Sequence, residues 1–144
     1  MKHIILIIFL AGSLATMAQE NEQNHWKTLE GLEYEKSRDE YGEIYVPKFG
    51  PDIKALENKE ISLSGYIIPF EGMFKPDHLI ISSLPIASCF FCGGAGPESV
   101  AEVYLDETVK YTAKKVTVRG KLSLNDENMD ELMYILKDAK LIKE

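Results

Sequence analysis

The chain predicts an all-β fold, a small five-stranded OB-like barrel with a short N-terminal extension and one short helix. Two segments carry this expectation, because each alternates strictly between apolar and polar residues and holds a glycine in mid-strand. In Glu60 to Pro69, Ile61, Leu63 and Ile67 alternate with Ser62, Ser64 and Tyr66 around Gly65. In Lys115 to Leu124, Val116, Val118, Leu122 and Leu124 alternate with Thr117, Arg119, Lys121 and Ser123 around Gly120. Period two over such a length marks a strand with one buried face. Glycine weakens a strand unless the strand must bend sharply, as at the corner of a small closed barrel. The same device in two strands favours a barrel over a flat sheet.

Three further strands complete the count. His78-Leu79-Ile80-Ile81-Ser82 follows the turn Lys75-Pro76-Asp77, and Ser99 to Leu105 puts Ala101, Val103 and Leu105 on one face. A helix over Pro97 to Leu105, opened by Gly96-Pro97-Glu98, competes with that strand. Val100, Val103 and Tyr104 favour the strand. Leu132 to Ile142 has Leu132, Tyr134 and Leu136 in phase, then Ala139 and Leu141, which implies a bulge at Lys137-Asp138. Five strands in this range suit an OB-type barrel.

Ahead of the barrel, Met1-Lys2-His3 gives a short positive start and Ile4 to Leu10 an unbroken apolar run. Thr16-Met17-Ala18 then presents small side chains where a signal peptidase cuts. A spanning helix needs about 20 apolar residues, more than this run holds. Residues 1–18 therefore read as a cleavable signal peptide, with the mature chain starting near Gln19. The expected location is periplasmic or secreted, with no membrane span in the mature chain. Removing the first 18 of 144 residues leaves 126, enough for one domain with a real core and too few for two. Residues 19–47 are expected as a lead-in and extension, and 48–144 as the barrel domain. The aromatics Trp26, Tyr34, Tyr41, Tyr45 and Phe49 are expected to pack across the outside of the barrel. Pro51 to Leu56 fits one or two turns of helix, with Pro51 preset for the first turn.

The formal net charge is −7, and the leader takes away one cation, Lys2, and no acid. The mature chain is thus more acidic still, which repels phosphate backbones and speaks against nucleic-acid binding.

Ser88-Cys89-Phe90-Phe91-Cys92-Gly93-Gly94-Ala95-Gly96-Pro97 is the one segment with specific chemistry. Cysteines three apart on a tight turn can bond each other or share a metal. In an oxidising compartment a disulfide is the default state. Closing so short a loop stabilises by only about 2 kcal/mol, so the bridge would stiffen the loop more than the fold. As a metal knuckle, Cys89 and Cys92 supply two thiolates, while glycine after the second Cys lets the backbone turn and aim N–H groups at the sulfurs. Two thiolates are half of a tetrahedral zinc site, and His78, Glu98 and Glu71 are the candidates to complete it, or else a second subunit. Thiol–disulfide redox chemistry is a third reading. It lacks the neighbouring Lys, Arg or His that lowers the pKa of an active first cysteine. Covalent haem attachment fails because Gly93 stands where His is needed. The glycine run lacks the spacing and the Lys of a phosphate cradle. Phe90 and Phe91 are expected to fold back as a lid, since exposed paired aromatics are a liability. With only His25 and His78 in the mature chain, no Ser-His-Asp constellation can be built, and no carboxylate pair stands out.

Gly65-Tyr66-Ile67-Ile68-Pro69, Ser83-Leu84-Pro85 to Cys89, and Val116 to Leu124 resemble an uncharacterised family, a domain of unknown function. The likeness covers residues 45 to 142. Its members are exported or lipid-anchored OB-like proteins of Gram-negative bacteria, often encoded beside ABC-transporter components linked to zinc supply. Many carry one Cys followed by a proline-rich run, where this chain has Cys89, Cys92 and Gly93 to Gly96. The resemblance implies an OB-type barrel, raises the metal reading and supplies no enzyme activity.

The leading expectation is an exported, non-enzymatic accessory protein. It binds or hands on a transition metal, zinc first, through Cys89 and Cys92, with an envelope protein or transporter component as partner. The alternative is a protein-interaction module with a disulfide-stiffened loop, and the third is a thiol–disulfide oxidoreductase.

Overall fold

The structure, a computed structural model, describes residues 24–69, 75–128 and 130–143. The expected signal peptide and the candidate ligand Glu71 lie outside the described residues. The chain runs through α1 (Trp26–Leu29), β1 (Glu33–Asp39), β2 (Gly42–Lys48), α2 (Pro51–Lys54), β3 (Glu60–Ile67), β4 (His78–Ser82), β5 (Val100–Leu105), β6 (Val116–Leu124) and β7 (Tyr134–Lys143). Strands β3 to β7 close a barrel in the order β3-β4-β5-β7-β6. Every pairing in it is antiparallel except β5 with β7. Counted within the barrel, first, second, third, fifth and fourth strands are neighbours, which is the OB-type order, so the all-β barrel read from the alternation is the fold. Among the described residues no helix is long and apolar enough to cross a membrane.

The two mid-strand glycines sit where the barrel turns. β3 pairs with β6 from Glu60 to Gly65, then passes to β4 at Tyr66. At that handover a Cβ on Gly65 would stand 2.1 Å from the Ser82 carbonyl oxygen, so any side chain would force the strands apart. Gly120 lies opposite the bulge in β7, where the register slips between Arg119 and Lys121. Asp138 there adopts φ 50°, the left-handed conformation of an extra residue, at the expected bulge position. The rivalry between helix and strand before β5 resolves as a single 3₁₀ turn, Pro97–Ser99, followed at once by the strand.

Alternation places Ile61, Leu63, Val118, Leu122, Val103 and Leu136 in one buried core. Trp26 and Leu29 of α1, Ile53 of α2 and Phe49 of the link between β2 and α2 join that core. Two of the aromatics expected on the outside of the barrel, Trp26 and Phe49, are therefore core residues. The reason is local: α1 brings Trp26 and Leu29 onto one face at i, i+3, and Trp26 Nε1 donates to the Ser64 carbonyl. The same segment covers outward-facing side chains. The His25 N–H donates to the Ser62 carbonyl, and Ser62 and Thr117 are nearly buried although their strand phase points outward.

β1 and β2 form a hairpin of their own, paired Glu33↔Lys48 through Asp39↔Gly42. The Asp39 carboxylate accepts the N–H groups of Tyr41 and Gly42 and so shapes the two-residue turn. No residue of either strand is buried, and Tyr41 and Tyr45 are 90% and 61% exposed. These tyrosines face solvent on a hairpin and do not pack across the barrel as the sequence led one to expect.

Candidate functional site

The segment between β4 and β5 folds back over the outside of the barrel. Residues of opposite phase on β3, β4 and β5 divide between two clusters: Ile67, Ile81 and Ala101 point into the main core, while Ile68, Ile80 and Val100 form a second one with Cys89. Phe90, Phe91 and Leu132 pack on this second cluster, and the two phenyl rings meet edge-on at 5.2 Å. The paired aromatics thus act as the expected lid, laid on the barrel wall. That wall is apolar on both faces, which explains why Ile67-Ile68 and Ile80-Ile81 break the alternation in sequence.

Three tight turns build the loop. Ile86–Ser88 and Phe90–Cys92 are single 3₁₀ turns, and Gly93 adopts φ 77° immediately after the second cysteine. Cys89 caps the second turn with φ −76° and ψ 169°. The Cys89 carbonyl accepts both the Cys92 and the Gly94 N–H, and the Gly93 N–H goes to the Phe90 carbonyl. The glycines therefore turn the chain as expected, but their N–H groups meet carbonyl oxygens and not the sulfurs.

This geometry brings the two thiols to 4.0 Å of each other. They are not bridged, and their exposure differs completely, with Cys89 0% exposed and Cys92 open to solvent. Desolvation, then a hydrogen bond and charge interaction with Cys89, pushes the Cys92 thiol above its ordinary value. No Lys, Arg or His relieves this in the neighbouring sequence.

The other candidate ligands are placed elsewhere. His78 opens β4, at the end away from the point where the loop leaves the strand. Its ring stacks on Tyr104 at 4.2 Å and its Nε2 lies 2.6 Å from Glu102 Oε1. Glu98 accepts a 3.0 Å hydrogen bond from the Tyr34 hydroxyl of the hairpin. Among the described residues, no three His, Cys, Asp or Glu side chains gather closely enough to hold one ion. Sequence reasoning missed Glu102, a nearly buried carboxylate that also accepts from the Tyr104 hydroxyl at 3.1 Å and the Leu132 N–H at 3.2 Å. Its only sequence signal is an acid in the middle of an apolar strand, Val100-Ala101-Glu102-Val103.

Comparison of the chain with protein-family models, curated proteins and solved structures finds no match in any of the three.

Proposed function

We propose that the chain is a non-enzymatic accessory protein that binds or hands on a transition metal, zinc first among them, through Cys89 and Cys92. The observation that supports this is the spacing of the unbridged thiols, 4.0 Å on one turn. Two thiolates bound to one tetrahedral zinc at about 2.3 Å stand roughly 3.8 Å from each other, so the pair needs little movement to share an ion. Sulfur donors suit zinc and other soft metals, and unsuited hard cations are disfavoured by the same donor set. Two protein ligands leave half of the coordination sphere to a partner, which fits transfer better than storage. The resemblance to exported proteins encoded beside transporter components points to an envelope protein or transporter component as that partner, in the periplasm or outside the cell.

The test is zinc titration of the full reduced chain with proton release followed in parallel, since thiols must become thiolates to bind. Uptake of one zinc with release of protons, lost in Cys89→Ser and in Cys92→Ser, supports the reading. No uptake at stoichiometric zinc overturns it.

One observation favours a second reading, a protein-interaction module whose loop is stiffened by a disulfide. Cys89 is wholly buried in an apolar cluster, as structural cysteines are. On this reading the oxidised protein is the working form, and the double Ser variant loses only about 2 kcal/mol of stability while keeping its partner contacts.

A further inference from the structure

The two thiols are chemically unequal in a direction opposite to the usual Cys-x-x-Cys arrangement. An active pair ordinarily exposes its first cysteine at a helix N-terminus and buries the second. Here the first, Cys89, is 0% exposed beneath Ile68, Ile80, Val100 and the lid residues Phe90 and Phe91, and the second, Cys92, is open to solvent.

We infer that Cys92 is the exchange thiol of this loop, the atom at which a disulfide-bearing partner reacts, and that Cys89 is the resolving thiol behind it. The inference uses thiol geometry alone and stands or falls independently of metal binding.

Exchange needs in-line approach of sulfur to sulfur, which the lid denies to Cys89 and permits at Cys92. Cys92 Sγ loses its proton to solvent and attacks one sulfur of the incoming disulfide. The partner's S–S bond breaks, its first thiolate leaves and takes up a proton, and a mixed disulfide with Cys92 forms. Cys89 Sγ, 4.0 Å away, then loses its proton and attacks Cys92 Sγ, closing the short gap to disulfide length. The mixed disulfide breaks and the partner's second thiolate leaves and is protonated. The loop is oxidised by two electrons and the partner disulfide is reduced to two thiols. In reverse, a dithiol partner reduces the loop by attacking Cys92 and releasing Cys89. The apolar lid makes this order obligatory, because a mixed disulfide on Cys89 would have to lie inside the second cluster.

The test uses the full reduced chain with glutathione disulfide as the probe, read by intact mass. Cys89→Ser and Cys89→Ala should each collect one glutathione at Cys92 and keep it. Cys92→Ser should react more slowly by on the order of tenfold or more, and the difference should vanish in denaturant. The wild type should pass through a glutathione adduct to the internal disulfide. A variant-free arm guards against misfolding: brief alkylation of the wild type followed by peptide mapping should find the first label on Cys92. A first label on Cys89, equal rates in the two folded single variants, or a wild-type adduct that never closes would overturn the assignment. Zinc uptake by the same reduced sample reports on the metal reading separately.

Discussion

The Tyr134 hydroxyl donates a 2.7 Å hydrogen bond to the Leu29 carbonyl, joining residues 105 apart in sequence. Tyr134 lies at the start of β7 and Leu29 at the end of α1, and both are 0% exposed. The bond is the polar lock that holds the N-terminal segment against the barrel, beside the contact of the Tyr134 ring with Phe49 at 6.1 Å. Tyr134→Phe keeps the ring and removes the donor. The Leu29 carbonyl keeps a longer bond from the Leu32 N–H, so the expected loss is about 1 kcal/mol. Urea denaturation should show a lower midpoint with an unchanged slope; an unchanged midpoint would mean that the lock is energetically idle.

The same phenol should mark the alkaline limit of stability. Burial, followed by the charges of Tyr34 and Glu98, pushes Tyr134 well above its ordinary value of 10.0. Burial and Glu98 do the same to Tyr34. Burial and Glu102 push Tyr104 to about 12. A raised tyrosine pKa means that the fold prefers the neutral phenol. Its contribution is complete below about pH 10 and is lost as pH rises towards and beyond 12. Stability measured against pH should therefore be level in this respect up to about pH 10 and fall above it. Tyr134→Phe should fall less steeply, and an equally steep fall would remove Tyr134 from the cause.

At the barrel corner, Gly65→Ala places a Cβ at 2.1 Å from the Ser82 carbonyl oxygen and 3.1 Å from the Ile81 side chain. The obstacle is mainly backbone, so the strands must separate. A loss of about 2–3 kcal/mol is expected, in the range of overpacked cores. Gly50→Ala is the control: nothing stands within 4 Å of its Cβ position and its φ is −67°. It should change stability by less than about 0.5 kcal/mol. Equal effects at both positions would refute the close approach at the corner.

The barrel was readable because its strands bury one face. Ile61-Leu63 and Val116-Val118 state their phase openly, and Gly65, Gly120 and the Lys137-Asp138 irregularity state where it bends. The hairpin was not, for the converse reason. With neither face buried, Tyr34-Lys36-Arg38 and Glu33-Glu35-Ser37 carry no apolar period, and only the Asp39 to Gly42 turn spacing betrays it. The Cys loop was visible as a motif, yet which thiol is buried depends on the outer wall of β3, β4 and β5. That wall is hinted at only by apolar residues in both phases, Ile67-Ile68 and Ile80-Ile81. His78 was readable as a residue with chemistry, but its partner Glu102 lies 24 positions away on the neighbouring strand.

Glu102 gathers three donors, His78, Tyr104 and the Leu132 N–H, and so ties β4, β5 and the approach to β7 together. Its side chain is 11% exposed. Glu102→Ala removes the acceptor shared by all three donors, although Tyr104 also bonds Glu131 and His78 is 28% exposed, and should cost about 1–3 kcal/mol. Glu102→Gln keeps an acceptor and should cost less. If the Cys pair alone supplies the protein's ligands, neither Glu102→Gln nor His78→Ala should alter zinc uptake by the reduced chain. Weakened uptake in His78→Ala would restore His78 as a ligand.

Among the described residues, the hairpin should be the least protected part of the fold. Barrel strands have partners on both sides because the sheet closes on itself, whereas among the described residues β1 and β2 pair only with each other and expose both faces. Two strands without a buried face are marginal in water. Cross-strand support is modest: Lys36 sits 5.7 Å from the Tyr45 ring centroid, and the pairs Lys36–Glu43 and Lys48–Glu35 stand at 4.0 and 3.8 Å with their side chains mostly exposed. Exposed ion pairs of this kind contribute about 0–1 kcal/mol each. Among the described residues, Tyr34 of β1 reaches the rest of the molecule through its hydrogen bond to Glu98, so Tyr34→Phe should loosen the base of the hairpin and leave the barrel untouched. In hydrogen exchange, amides of Glu33–Asp39 and Gly42–Lys48 should open through local fluctuations, while those of β3, β6 and β7 should approach the protection set by global unfolding. Repeating the measurement over a range of protein concentrations separates two origins of any excess protection. Protection that grows with concentration identifies a second copy covering the hairpin; protection equal to the barrel's at every concentration would show that the hairpin is an integral part of the cooperative fold.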